Sequence, residues 1–235
     1  MDFGLSYRRV AALALFAAAM LAAERINFSP IVGQAGQSFT ATQFFAPTIA
    51  AFLGLGLGLA ALAVSQVANF VILGKAASAV SVLRLATPLF AAHYFATAQN
   101  ETRNPANILV PIAAIAVFLS VPAGFSAWYY SLYWLIPVCV SVFGLGKNLF
   151  ARSLGATFTA HAVGSAIWSL SVPMTAAQWT SLVFVTAVER ISFAAGISLA
   201  YVAASAATAY ASKRIDISPV RFEKRYAAIV ARPLW

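Results

Sequence analysis

Carboxylates are scarce in this 235-residue chain: Asp2, Glu24, Glu101, Glu189, Asp216 and Glu223 are the full set, and only Glu189 falls deep in an apolar stretch. That leaves no buried pair of acids for general acid–base chemistry. One cysteine, Cys139, rules out an intramolecular disulfide and a cysteine-rich metal site. His-Glu-x-x-His, Gly-x-Ser-x-Gly and phosphate-loop patterns are absent, and neither an enzymatic activity nor a cofactor is expected. Charge of either sign is thin as well. Charged residues make up 9% of the chain, where a soluble domain carries about a quarter.

What is present is apolar. Hydrophobic residues reach 62% and the mean hydropathy is +0.84. The apolar stretches fall at 10–26, 42–57, 59–73, 78–98, 106–127, 130–146, 157–172 and 177–211, most of them close to the length that crosses a hydrocarbon core of ~30 Å. The pattern predicts an all-α polytopic membrane protein with about eight hydrophobic segments and six to eight transmembrane helices. Residues 1–212 form one membrane domain, and 213–235 a basic tail able to make an amphipathic helix on the lipid surface. Residues 42–73 are too long for one upright span, so the glycines of "FLGLGLGLA" predict a break between two short helices; one long tilted helix is the alternative.

The formal charge of +9 does not indicate nucleic acid. Eight of the 15 Lys and Arg sit at the two ends: Arg8, Arg9, Lys213, Arg214, Arg221, Lys224, Arg225 and Arg232. Basic ends beside membrane helices follow the positive-inside rule, and the lipid bilayer is the expected partner. An even number of crossings, eight by count, keeps both termini cytoplasmic in a plasma-membrane, multi-pass protein. It leaves residues 27–41, which hold no Lys or Arg, outside.

"GQSFTATQFF" from Gly36 and "GATFTAHAVG" from Gly155 share a Gly-x-(Ser/Thr)-Phe-Thr-Ala phrase. Five crossings separate them, so they would enter from opposite faces as an inverted repeat with halves 8–98 and 128–211. Coincidence in a chain rich in Ala, Gly, Phe and Thr is the other reading. In both, Ser38, Thr40, Thr42, Thr157 and Thr159 sit where a helix should begin and act as N-caps.

Polar groups inside a bilayer are functional candidates because burying them is costly. Gln66 and Asn69, at i and i+3, share a helix face. Arg84 and Glu189 lie in separate segments. Glu189 and Arg190 are neighbours about 100° apart on a helix, so Arg84 is expected to pair with Glu189. With Gln43 and His161 these residues make a candidate solute site. His93 and His161 could instead ligate a haem from two helices. "RNPANI" (103–108) reads as a helix start with proline near its first turn. "SAWYYSLYW" (126–134) reads as an outer aromatic belt or as the lining of a ligand mouth.

Residues 27–73, through "QFFAPTIAAFLGLGLGLAALAVSQVANFVILG", resemble the membrane-embedded substrate-binding (S) components of energy-coupling-factor vitamin transporters. A polar outer loop, an apolar helix, a glycine-marked turn and a small-residue helix follow one another in both. The family docks its first helix on a transmembrane coupling subunit through an Ala-x-x-x-Ala face, and Ala14, Ala18 and Ala22, or alternatively Ala19 and Ala23, match that spacing. The resemblance implies small-solute binding, with an energising membrane subunit and ATPase subunits as partners. That family typically has six helices, against eight stretches here. A compact inverted-repeat transporter would use the same polar residues. A non-transport membrane subunit, or a haem electron carrier, is the reading from a different class.

Overall fold

The computed structural model describes residues 7–30, 38–74, 77–100, 103–214, 216 and 220–226. Helix α1 (Tyr7–Ala23) leads into a two-stranded antiparallel hairpin, β1 (Asn27–Pro30) with β2 (Ser38–Thr40), that pairs Asn27 with Thr40. A broken segment follows: α2 (Thr42–Phe45), a 3-10 turn at Ala46–Thr48, α3 (Ile49–Leu53) and α4 (Leu55–Ile72). Next come α5 (Ala79–Arg84), α6 (Thr87–Thr97), α7 (Ala106–Leu119), α8 (Pro122–Ser126), a 3-10 segment at Trp128–Trp134 and α9 (Leu135–Val142). The chain closes with α10 (Leu149–Ser171) and α11 (Ala176–Ala211). The expected helical class is observed, with one short hairpin that the sequence pattern did not suggest.

Local chemistry sets the boundaries. Ser78 starts α5 by accepting the Ser81 N–H, and Asn148 starts α10 by accepting the Ala151 N–H. Thr175 and Gln178 form a reciprocal capping box at the head of α11. The Asn104 side chain accepts the Ala106 N–H just before α7, so "RNPANI" is the helix start it was read to be. The expected break in 42–73 falls at Gly54, whose φ of 83° suits a residue without a Cβ.

Among the described residues three helices are long and apolar enough to cross a membrane: Leu55–Ile72, the run Ala79–Thr97, and Ala176–Ala211. Their apolar residues face outward as much as inward. Val64, Val67 and Val71 on α4 are each more than half exposed, as are Phe184, Val188, Ile191 and Leu199 on α11 or nearly so. In water so large an apolar surface would drive aggregation; in lipid it is the matching surface.

Inside, α10 is the central element. Tyr94 of α6 lies against Gly155, and Thr87 lies against Gly164, so α6 and α10 run antiparallel in close contact. One aromatic cluster joins Phe118, Tyr130, Trp134, Phe158 and Trp179. A second joins Phe52, Tyr94, Phe95 and Tyr201. A third, aliphatic cluster packs Met20, Ile49, Leu53 and Leu62 where α3 folds back on α4.

That fold-back depends on Gly58, where a Cβ would run into the backbone of Ala50. Gly58→Val is expected to destabilise the protein by about 1–3 kcal/mol through overpacking. Gly56, with open space around it, is the control: thermal unfolding in detergent should separate Gly58→Val from a tolerated Gly56→Val.

Two expectations about the repeated phrase need correction. Thr157 and Thr159 are not at a helix start; α10 begins eight residues earlier than Thr157, and both are buried in its interior. Thr159 donates back to the Gly155 carbonyl. In the other copy Ser38 and Thr40 lie in β2 and only Thr42 opens a helix, while Gly36 lies outside the described residues. The same phrase thus takes two unlike local conformations, strand in one copy and helix interior in the other.

The tail also differs from expectation over its described part. Val220, Phe222 and Tyr226 pack on the helical core, with one helical turn at 224–226. The Arg221 N–H donates to the Phe52 carbonyl at 2.7 Å, supplying a partner to the end of α3 that the Gly54 break leaves open.

Candidate functional site

A cavity of about 600 Å³ lies between the hairpin and the ends of α1, α4, α5, α10 and α11. Its wall contains Glu24, Gln43, Gln66, Asn69, Arg84, His161, Glu189 and Arg190 together with the rings of Phe39, Tyr130, Trp168 and Trp179. Every residue expected to bind solute therefore borders one space: Gln43 from α2, Gln66 and Asn69 from one face of α4, Arg84 from the end of α5, His161 from α10 and Glu189 from α11.

The ion pair is not the expected one. Glu189 takes Arg190 Nη2 on Oε2 at 2.7 Å and the Ser29 hydroxyl on Oε1 at 2.7 Å. Helical neighbours do diverge at Cβ, but a guanidinium ends several bonds away, and the Arg190 side chain curls back to reach its neighbour. Arg190 then lies against two rings, its Cζ 4.9 Å from the centroid of Phe39 and 4.4 Å from that of Phe193. Because Ser29 and Phe39 belong to the two strands, the pair fastens the hairpin to α11. A second fastening joins it to α1: Thr40 and Thr42 both donate to Glu24 Oε2, at 2.8 and 3.2 Å. Arg84 lies over the Trp168 ring, 5.3 Å from its centroid, a cation–π geometry.

His161 is held in one tautomer. The Trp134 indole N–H, which can only donate, reaches Nδ1 at 3.0 Å. The ring proton is then on Nε2, facing the Tyr130 hydroxyl at 3.1 Å, and that hydroxyl shares a second hydrogen bond with Thr186 at 2.9 Å. Both ring nitrogens are occupied, and a haem iron would need one of them. His93 lies nearer the other end of the bundle, where its Nε2 faces the Asn104 amide at 3.5 Å. The contacts of Thr87 with Gly164 and Tyr94 with Gly155 set it more than a turn below His161. The haem reading is therefore corrected: these two side chains do not converge on a shared ligand position. His161→Leu should strand the Trp134 N–H and cost about 1–3 kcal/mol, seen as a lower melting temperature, whereas Thr186→Val should cost less.

Glu24, Trp168 and Trp179 were not anticipated from the sequence, Arg190 was set aside as a partner for Glu189, and Tyr130 belongs to the 126–134 segment whose alternative reading was the lining of a ligand mouth. Glu24 and Arg190 carried a signal, since both are charges at or inside an apolar stretch. The aromatic segment 126–134 divides its work: Trp128 is 56% exposed, while Tyr130 and Trp134 are buried in the core beside the cavity. On α1, Ala14, Ala18 and Ala22 share an exposed stripe with Leu15.

Comparison of the chain with known protein families, with curated proteins and with solved structures finds no match.

Proposed function

We propose that this chain is an integral membrane protein that binds a small solute in the cavity beneath the hairpin, as a solute-binding component or as part of a transporter. The observation that carries the reading is the cavity itself: about 600 Å³, walled by the rings of Phe39, Phe70, Tyr130, Trp168 and Trp179 and a few placed polar groups, the usual make-up of a small-molecule site. The outward-facing apolar surfaces of α4 and α11 support insertion in a bilayer. The distribution of Lys and Arg favours eight crossings, with both termini in the cytoplasm and the hairpin outside. On that topology the solute enters from the outer side, and the hairpin covers it.

The resemblance to S components of energy-coupling-factor transporters fits this arrangement. The exposed Ala14, Ala18 and Ala22 stripe would let a partner helix approach closely. The chain has no nucleotide-binding motif, so an ATP-driven step would belong to an energising membrane subunit and its ATPase subunits. Co-purification tests this part: Ala18→Leu should release any such subunit while leaving the melting temperature unchanged, and retention of the subunit would count against the docking face. For the cavity, Trp168→Ala should fold and lose solute binding; unaltered binding would move the site elsewhere.

A further inference from the structure

The acids and amides of the cavity are in opposite states. Glu189 has a donor on each oxygen, and Glu24 accepts two threonine hydroxyls. Gln43, Gln66 and Asn69 line the same space, and none of the three side chains has a hydrogen-bond partner among the described residues. Asn69 is 3% exposed and its Nδ2 is buried without a partner, an arrangement that costs free energy unless something else supplies the bond.

We propose, building on the reading of this cavity as a solute site, that the solute is an uncharged planar heterocycle with adjacent donor and acceptor atoms, such as a lactam edge. A carboxamide offers a carbonyl and an N–H₂ side by side and pairs with such an edge through two hydrogen bonds. Gln66 and Asn69 present two amides from one face of α4, and Gln43 presents a third from α2. The rings of Trp168, Trp179 and Tyr130 supply faces for a flat ring. A charged solute would have to compete for groups that already hold partners: Glu189 and Arg190 hold each other and fasten the hairpin, Glu24 holds two threonine hydroxyls, and Arg84 lies over the Trp168 ring.

The test is titration calorimetry on the full chain in lipid nanodiscs, with uracil and hypoxanthine as neutral probes and benzoate and choline as charged ones. Binding of a neutral probe is expected, weakened on the order of tenfold in Gln66→Leu. Should Gln66→Leu fail to fold, Gln43→Leu carries the same expectation. Binding of benzoate or choline alone, abolished by Trp168→Ala, would overturn the solute class while the cavity reading stands. Binding of none of the four by a protein with an intact thermal transition would overturn both.

Discussion

Glu189→Gln is expected to destabilise the protein by about 3–5 kcal/mol, because it removes one charge of a buried pair and strands the other. Arg190 is 2% exposed and lies against the Phe39 and Phe193 rings, and among the described residues its only carboxylate partner is Glu189. Arg190→Met in the same chain should return part of the loss by replacing the stranded cation with an apolar side chain. Arg84→Gln should return none of it, since Arg84 lies over Trp168 and not beside Glu189. Melting temperatures of the single and double variants in detergent decide between the two. Rescue by Arg84→Gln, and not by Arg190→Met, would restore the pairing that the sequence alone suggested.

The second large effect lies at the opposite end of the bundle. Arg152 is fully buried, and its Nη2 reaches Glu223 Oε1 at 2.7 Å, while Nη1 bonds to Gln99. The Phe95 and Tyr201 rings flank the guanidinium, at 4.4 and 5.1 Å. The Tyr201 hydroxyl also donates to Glu223, at 3.1 Å. Glu223→Ala should therefore cost about 3 kcal/mol and free the tail, because it leaves a guanidinium buried without its carboxylate.

The same link is expected to depend on pH. Burial pushes the Glu223 carboxyl up, but the Arg152 and Arg225 guanidinium groups outweigh burial and hold it below the ordinary glutamate value. A carboxyl with a lowered folded-state pKa adds stability that is fully present above its unfolded-state pKa, about 4.3. That stability is lost as pH falls through the lower, folded-state value. Protection of the Phe222 to Tyr226 amides from hydrogen exchange, taken relative to the free-peptide rate at each pH, should hold from neutral pH down to about 4.3. Loss of that protection at mildly acidic pH would contradict the linkage.

The helical class was legible because apolar stretches announce themselves by length, and three of them, among the described residues, form helices long enough to cross a membrane. The break at Gly54 and the start at Asn104–Pro105 were legible for the same local reasons that the structure displays. The start of α10 was not, although Asn148 is a good N-cap. Arg152 four residues later reads as a loop residue, and what makes it a helix residue is Glu223, 71 positions away. No local pattern carries that information. The hairpin escaped for a related reason. Its strands are four and three residues long, and they are held by Ser29 on Glu189, Phe39 on Arg190 and Thr40 on Glu24. The site residues Gln43, Gln66, Asn69, Arg84, His161 and Glu189 could be named because polar groups stand out in an apolar chain. Their partners could not, since angular spacing on a helix describes where a Cβ points and not where a long side chain ends.

The proposed solute cavity beneath the hairpin opens to the outer side of the membrane. Its most direct measurement is the modification of Gln66→Cys, in a Cys139→Ser background, by a membrane-impermeant maleimide on intact cells and on inside-out vesicles. Labelling is expected from the outer side, slowed on the order of tenfold by whichever probe binds in calorimetry, as occupancy of the cavity requires. Labelling from the cytoplasmic side alone, or labelling from outside at a rate no bound probe changes, would contradict it.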